Sequence, residues 1–317
     1  MSTPLVAPLP TTPIQKLYSF SNENEIYIKR DDLLPFCFGG NKARIAKEFV
    51  CDLISGGYTC MVAYGSPQSN LSRVLACGCS ALGVRCVVIS PSEQIENSNK
   101  SYNSIMVRNV GAEIVPCLKS DVRNTVATTL EELRNQGESP YYIYGDESGQ
   151  GNKKTPVNAY AGFIKEITSQ EKELGIQFEY VFLATGTGMT QAGILCGNSI
   201  AQKPKKIVGI SIAREALVAR NSIRDFIEAY MGFSKKIEIE VTDAYLHGGY
   251  GKSDANERAT IDRLFSMEGI SSDETYVGKA FDGMLQYIDE HKIKNKKILF
   301  LHTGGTPLYF DMLDRSS

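Results

Sequence analysis

The stretch YVFLATGTGMTQAG, Tyr180 to Gly193, passes from a β-forming apolar run through a loop of glycines and threonines into the helical pattern AGILCG. A strand, a glycine-rich turn and a helix make the junction at which α/β folds bind ligands, beyond the carboxyl ends of parallel strands. In such a loop Thr185, Gly186, Thr187, Gly188, Met189 and Thr190 present backbone N–H groups and hydroxyls to one anion. A phosphate held there gains from the oriented amides and from the helix dipole together. No Gly-Lys-Ser/Thr follows, which excludes a Walker A loop, and the glycines miss the G-x-G-x-x-G spacing. Two readings stay open from these residues alone: a phosphate cup of a non-nucleotide type, and a close strand-to-helix turn with no ligand.

The same strand-to-helix alternation extends through the chain. Further strands are predicted at 59–64, 84–89, 113–115, 141–144, 206–212 and 297–302, with helical periods between them, so the fold class is α/β with mostly parallel sheet. After Asn41, the residues Ile45, Ala46, Phe49, Val50, Leu53 and Ile54 form one helical face that Gly56-Gly57 ends. A second helix is predicted from about Leu71 to Leu82. No 20–50-residue repeat appears, and the polar, glycine-rich stretch Gly145–Lys154 is the best candidate for a domain boundary, with an active-site loop as the alternative.

The chain has 317 residues, 34 Lys+Arg against 36 Asp+Glu, and a formal net charge of −2. That length supports a large core and about two domains without disulfides or metals. The balanced charge offers no field for nucleic acid or anionic lipid. No apolar run approaches the ~18 residues of a membrane span, and MSTPLVAPLPTTP lacks the basic start of a signal peptide. The eight cysteines are scattered in apolar stretches with no C-x-x-C, and there are three histidines. They are expected to be buried reduced thiols in a cytoplasmic protein, with no metal site.

Two other loops carry candidate chemistry. Gly39-Gly40-Asn41-Lys42 delivers a lysine to a helix start, where the positive end of the dipole and desolvation lower its pKa toward the neutral amine that forms Schiff bases; a plain surface lysine is the alternative. Gln68-Ser69-Asn70, followed by Leu71 and Arg73, lies between a strand and a helix. Ser69 or Asn70 there is either a helix cap or a donor to a ligand. A Schiff-base lysine, a phosphate cup and a polar group for a phenolic oxygen are together what pyridoxal 5'-phosphate requires.

GGNKAR, SPQSNLSR, TGTGMTQAG, HGGYG, TYVGKA and LHTGGTPLYF stand in the order and approximate spacing of one family. The chain resembles the fold type II pyridoxal-phosphate enzymes of the 1-aminocyclopropane-1-carboxylate deaminase and D-cysteine desulfhydrase family, over Lys42 to Phe310. The resemblance implies a two-domain, tryptophan synthase β-like fold, each domain an open twisted mostly parallel sheet flanked by helices. It implies a larger cofactor-binding domain from residues 1–47 and 152–317, a smaller mobile domain from 48–151, and a homodimer. It puts Lys42 at the Schiff-base lysine, Asn70 at the phenolic oxygen, Ser69 at a substrate-facing serine, Gly186 to Thr190 at the phosphate, and Tyr250 and Tyr276 at two substrate-facing tyrosines.

The departures bear on the substrate. Deaminases of the family carry an acidic residue directly after the second tyrosine, facing the pyridine nitrogen; Val277 stands there, and Thr303 is the better partner for that nitrogen. A hydroxyl at that place is desulfhydrase-like, yet desulfhydrases usually have histidine where this chain has Leu71 beside the substrate. The expectation is a lyase that performs β-elimination on a small amino acid, giving pyruvate and ammonia. The alternatives are cyclopropane ring opening, β-replacement by a synthase of the same fold, and a two-lobed binder without catalysis.

Overall fold

The computed structural model describes residues 7–21, 23–93, 101–232 and 236–316. These divide into two compact units, one formed chiefly by Pro35–Thr155 and the other by Pro10–Leu34 together with the chain from Pro156 onward. The second unit begins with strands β1 (Ile14–Leu17) and β2 (Glu25–Arg30).

The first unit follows as α1 (Asn41–Ser55), β3 (Cys60–Tyr64), α2 (Asn70–Leu82), β4 (Arg85–Ser92), α3 (Tyr102–Asn109), β5 (Glu113–Leu118), α4 (Val122–Asn135) and β6 (Pro140–Tyr142). Its four strands pair in the order β5-β4-β3-β6, all parallel. A parallel sheet covered on both faces needs continuous apolar strands, and Cys60 to Ala63 and Cys86 to Ile89 are buried without a break. From β3 the chain steps through β4 to β5 on one side, then crosses to β6 on the other. That reversal makes the end of β3, where residues 65–70 leave the sheet, a topological switch point. Helix α1 buries Ile45, Ala46, Phe49, Val50 and Leu53 and packs on α2.

The second unit resumes with α5 (Lys154–Ala161), which starts two residues before it, and α6 (Phe163–Leu174), β7 (Tyr180–Thr185), α7 (Met189–Asn198), β8 (Lys206–Ser211), α8 (Ala216–Met231), β9 (Glu240–Thr242), α9 (Ala255–Glu268), α10 (Val277–Glu290), β10 (Lys297–His302) and α11 (Thr306–Ser316). The sheet order is β1-β2-β10-β7-β8-β9, parallel except for β1 against β2. The order of connection reverses between β7 and β10, with β8 and β9 added on one side of β7 and β10 on the other, so the loops leaving these parallel neighbours share the second switch point. Phe182, Phe281 and Phe300 sit in the core beneath them, with Phe281 and Phe300 edge to face at 5.1 Å. Helix α7 is buried from Met189 to Gly197. A Cβ at Gly193 would stand 2.5 Å from the Val157 carbonyl oxygen, so the small residue lets α7 press against α5.

Three findings depart from expectation. The boundary expected at residue 47 would cut α1, which runs unbroken and lies wholly in the first unit because its apolar face packs on α2; Lys42 goes with it. Strands β1, β2 and β9 were not anticipated. In β2 the fully buried Lys29 interrupts the apolar pattern, its charge met by Glu166 at 2.5 Å. Finally, Cys37 and Cys77 form a disulfide with Cα atoms 6.6 Å apart, against the expectation of reduced thiols throughout. A spacing of 40 residues gave no sign of the pairing, and cysteine usage therefore carries no argument for the cytoplasm. Among the described residues no helix is long and apolar enough to cross a membrane.

Candidate active site

The turn ahead of α1 places four consecutive residues at positive φ: Cys37, Phe38, Gly39 and Gly40. Only glycine adopts this region without cost, and the two glycines complete the turn that puts Lys42 in the first helical turn. Gly40 caps α1 with no side-chain bond. Burial pulls the Lys42 ammonium down to about 8, and a helix N-terminus disfavours a cation in the same sense. A substantial neutral fraction at mildly alkaline pH makes this amine a nucleophile toward a carbonyl carbon. The disulfide to Cys77 anchors the turn to α2.

At the end of β3, Gly65 approaches the next loop so closely that a Cβ would lie 2.3 Å from Ser69 Oγ. Ser69 caps α2, its Oγ accepting from the Ser72 N–H at 3.1 Å. The capping alternative that the sequence left open is thus realised for Ser69. Asn70, the first residue of α2, takes no capping role; its Oδ1 accepts from Asn103 Nδ2 at 3.1 Å. Leu71 is buried beside it.

In the second unit the loop after β7 is braced from below. Thr185 Oγ1 donates to Gln191 Oε1 at 2.7 Å, and Gln191 Nε2 donates to the Glu240 carbonyl at 2.8 Å. Gly188 has φ +97, and a Cβ on it would meet Ile223 Cγ1 at 2.7 Å. Ser222 Oγ donates to the Thr187 carbonyl at 2.9 Å. No side chain caps α7, so the N-terminal amides following Gly186 and Thr187 face the loop as an anion cradle.

The two tyrosines meet. Tyr250 and Tyr276 have their hydroxyls 2.8 Å apart, within the same unit as the cradle, and the Cβ position of Gly186 lies 3.9 Å from the Tyr276 ring. Each is held by a buried charge that the sequence reading missed. Asp273 accepts from the N–H groups of Thr275 (2.9 Å), Tyr276 (2.7 Å) and Val277 (3.3 Å); burial pushes its carboxyl up to about 6 against those bonds. Lys279, fully buried, donates to the carbonyls of Leu246 at 2.9 Å and Gly249 at 2.7 Å, fixing the HGGYG turn before Tyr250. The spacing Asp273-x-x-Tyr276 at a helix start was the available signal for the first; nothing in the pattern marked the second.

Beyond β10, Gly304 and Gly305 have φ of 94 and 101, and a Cβ on Gly305 would lie 2.4 Å from Asp273 Oδ2. Thr303 is buried at its backbone turn, and its hydroxyl bonds no side chain or backbone group among the described residues. Gly304 N–H donates to His302 Nδ1 at 3.2 Å, which makes Nε2 the protonated nitrogen, donating to the Ser271 carbonyl at 2.8 Å. Val277, expected where an acid would stand in a deaminase, is fully buried and apolar. Cradle, tyrosine pair and Thr303 thus belong to the second unit, while Lys42, Ser69, Asn70 and Leu71 belong to the first.

A family model described as pyridoxal-phosphate dependent enzyme matches residues 5–304. This chain belongs to the pyridoxal-phosphate dependent enzymes. As a member it uses pyridoxal 5'-phosphate, and its own residues fit that group: a desolvated lysine amine, a helix N-terminus with no side-chain cap, and, among the described residues, a Thr303 hydroxyl and an Asn70 NH2 without partners. The chain is 30% identical over 311 residues to a D-cysteine desulfhydrase of Yersinia enterocolitica, covering 94% of this chain and 92% of the relative. It is 28% identical over 315 residues to a 1-aminocyclopropane-1-carboxylate deaminase of a Bradyrhizobium species, covering 93% and 92%. Among solved structures it matches an ACC deaminase homologue with TM-score 0.83 and 29% identity, covering 96% of this chain and 92% of that one. An O-ureido-L-serine synthase, at TM-score 0.70 and 19% identity over 99% and 96% of the two chains, shares the fold.

Proposed function

We propose that this pyridoxal-phosphate enzyme is a lyase of the D-cysteine desulfhydrase type, removing a β-substituent from a small amino acid to give pyruvate and ammonia. The observation that carries the choice is the pair at residues 277 and 303. Fully buried Val277 has no proton to share with a ring nitrogen, whereas buried Thr303 offers a hydroxyl with no partner among the described residues. Both kinds of relative stand at similar identity, so the residues and not the degree of likeness decide.

Bound in this reading, pyridoxal phosphate supplies the conjugated ring that delocalises a carbanion at Cα. The amine of Lys42 would hold the cofactor's carbonyl carbon and, when free, would take the Cα proton as general base. Its pKa of about 8 leaves a neutral fraction able to accept a proton near neutral pH. Loop 186–190 holds the phosphate. Asn70 donates to the cofactor's phenolic oxygen and, with Ser69, orients the substrate carboxylate, and the Tyr250–Tyr276 hydroxyl pair passes a proton to the departing group. With cysteine, the Cβ–S bond breaks and sulfide leaves protonated; water then cleaves the remaining C–N bond, releasing ammonia and pyruvate. The larger unit is the phosphate-holding one, and the chain works as a homodimer, both on the ground of the resemblance.

Incubation with D-cysteine, L-cysteine, D-serine and 1-aminocyclopropane-1-carboxylate, assayed for keto acid, ammonia and sulfide, tests the reading. D-cysteine is expected to give all three. Turnover of the cyclopropane acid alone overturns it. Keto acid formation absent until a second nucleophile is added would establish β-replacement instead, in keeping with buried Leu71 at the place of an acid–base group.

A further inference from the structure

Below the loop that carries Asn70 lies a buried polar chain that no functional motif includes. Arg73, one turn further along α2, is fully buried, yet its guanidinium has one partner: Nη1 donates to Asn103 Oδ1 at 3.0 Å. Its Nε and Nη2 have none among the described residues. Asn103, also fully buried, is the second residue of α3, and its Nδ2 donates to the Gln68 carbonyl at 2.8 Å and to Asn70 Oδ1 at 3.1 Å. Ser101 locks α3 to the same loop by donating to the Pro67 carbonyl at 2.6 Å while capping the helix at the Ser104 N–H.

The direction of these bonds follows from the chemistry of the partners. A guanidinium only donates and a backbone carbonyl only accepts. Asn103 must therefore turn its oxygen to Arg73 and its NH2 to Gln68. That NH2 then faces Asn70, so Asn70 must present its oxygen to Asn103. Its own NH2 points away from the pair with no partner among the described residues. A free asparagine amide flips at little cost; this one is fixed donor-outward by two residues behind it. Burial lowers the Arg73 pKa to about 10, so the group stays cationic at neutral pH, with no carboxylate bonded to it among the described residues, and polarises both amides in the donor direction.

We propose that Arg73 and Asn103 are positioning residues that set Asn70 as a hydrogen-bond donor to the phenolic oxygen of pyridoxal phosphate. This rests on the function proposed above, in which Asn70 faces that oxygen. A donor on the phenolate draws charge from it and weakens its hold on the neighbouring imine proton. Without the donor, the oxygen keeps that proton to higher pH.

The test uses the cofactor-loaded enzyme and reads the pH midpoint of its visible band, with borohydride reduction and peptide mass checking that the cofactor is on Lys42. Asn70→Ala sets the size of the effect. Asn103→Asp, nearly isosteric and unable to donate, is expected to move the midpoint upward in the same direction by about one pH unit, the scale of one hydrogen bond to a charged group. Asn103→Ala, which adds no charge, is expected to do the same, and serves if the aspartate variant folds poorly. A midpoint that moves with Asn70→Ala and stays put in both Asn103 variants overturns the relay while leaving the functional reading intact. A midpoint unmoved in all three also overturns it. A wild type with no visible band and no reduced adduct on Lys42 removes the functional reading itself, and the relay with it.

Discussion

At Lys42 one amine has given up its hydration in the first turn of a helix. Burial lowers its pKa from 10.5 to about 8, so between those values the unfolded chain binds the proton that the native chain has lost. Stability of the cofactor-free protein attributable to this residue therefore rises with pH across that window. Urea midpoints of wild type and Lys42→Met, compared from pH 7 to 10, are expected to shift in favour of the wild type as pH increases; parallel curves would contradict the shifted pKa. Gly188 is the second residue whose identity is dictated locally. With φ +97 and Ile223 at 2.7 Å from any Cβ, Gly188→Ala is expected to cost about 1–2 kcal/mol and to weaken pyridoxal-phosphate binding, as read by denaturant melts and cofactor titration. Lys42, Asn70 and the glycines were legible because turn chemistry and motif order announce them. Asp273, Lys279, Asn103 and Arg73 were not, because a buried polar residue reveals its partner only once the chain has folded.

Among elements, the turn at the start of α10 depends on a single carboxylate. Asp273→Ala leaves the N–H groups of Thr275, Tyr276 and Val277 without their acceptor, and unsatisfied buried donors cost about 1–3 kcal/mol each. Partial rescue by water brings the expected loss to roughly 2–4 kcal/mol, with Asp273→Asn milder because one oxygen remains; calorimetric melts distinguish the two. At α2 the cap is Ser69, so Ser69→Ala is expected to lose about 1 kcal/mol of stability. A KM increase larger than that stability loss explains would separate the substrate contact from the cap. The central strands were read correctly because parallel sheet demands unbroken apolar runs, as in β7 and β10. Strands β1 and β9 escaped notice because edge strands are short and half-polar, and β2 because its central lysine is neutralised by Glu166, far away in sequence.

For the whole molecule, the α/β class followed from the alternation of strand and helix periods, and the expectation of about two domains from the length of the chain. The unit boundary did not, since no change of composition marks where α1 chooses its packing partner. The functional groups are likewise divided: the first unit has the amine and the Asn70 relay, the second has the phosphate cradle, the tyrosine pair and Thr303. The covalent link to Lys42 is the most exposed point of the proposed function. Reduction of the pyridoxal-phosphate-loaded enzyme with borohydride, followed by proteolysis and mass spectrometry, tests it directly. The account predicts a single stable pyridoxyl adduct on the peptide containing Lys42, absent in Lys42→Ala. An adduct on a different lysine, or none, would contradict it.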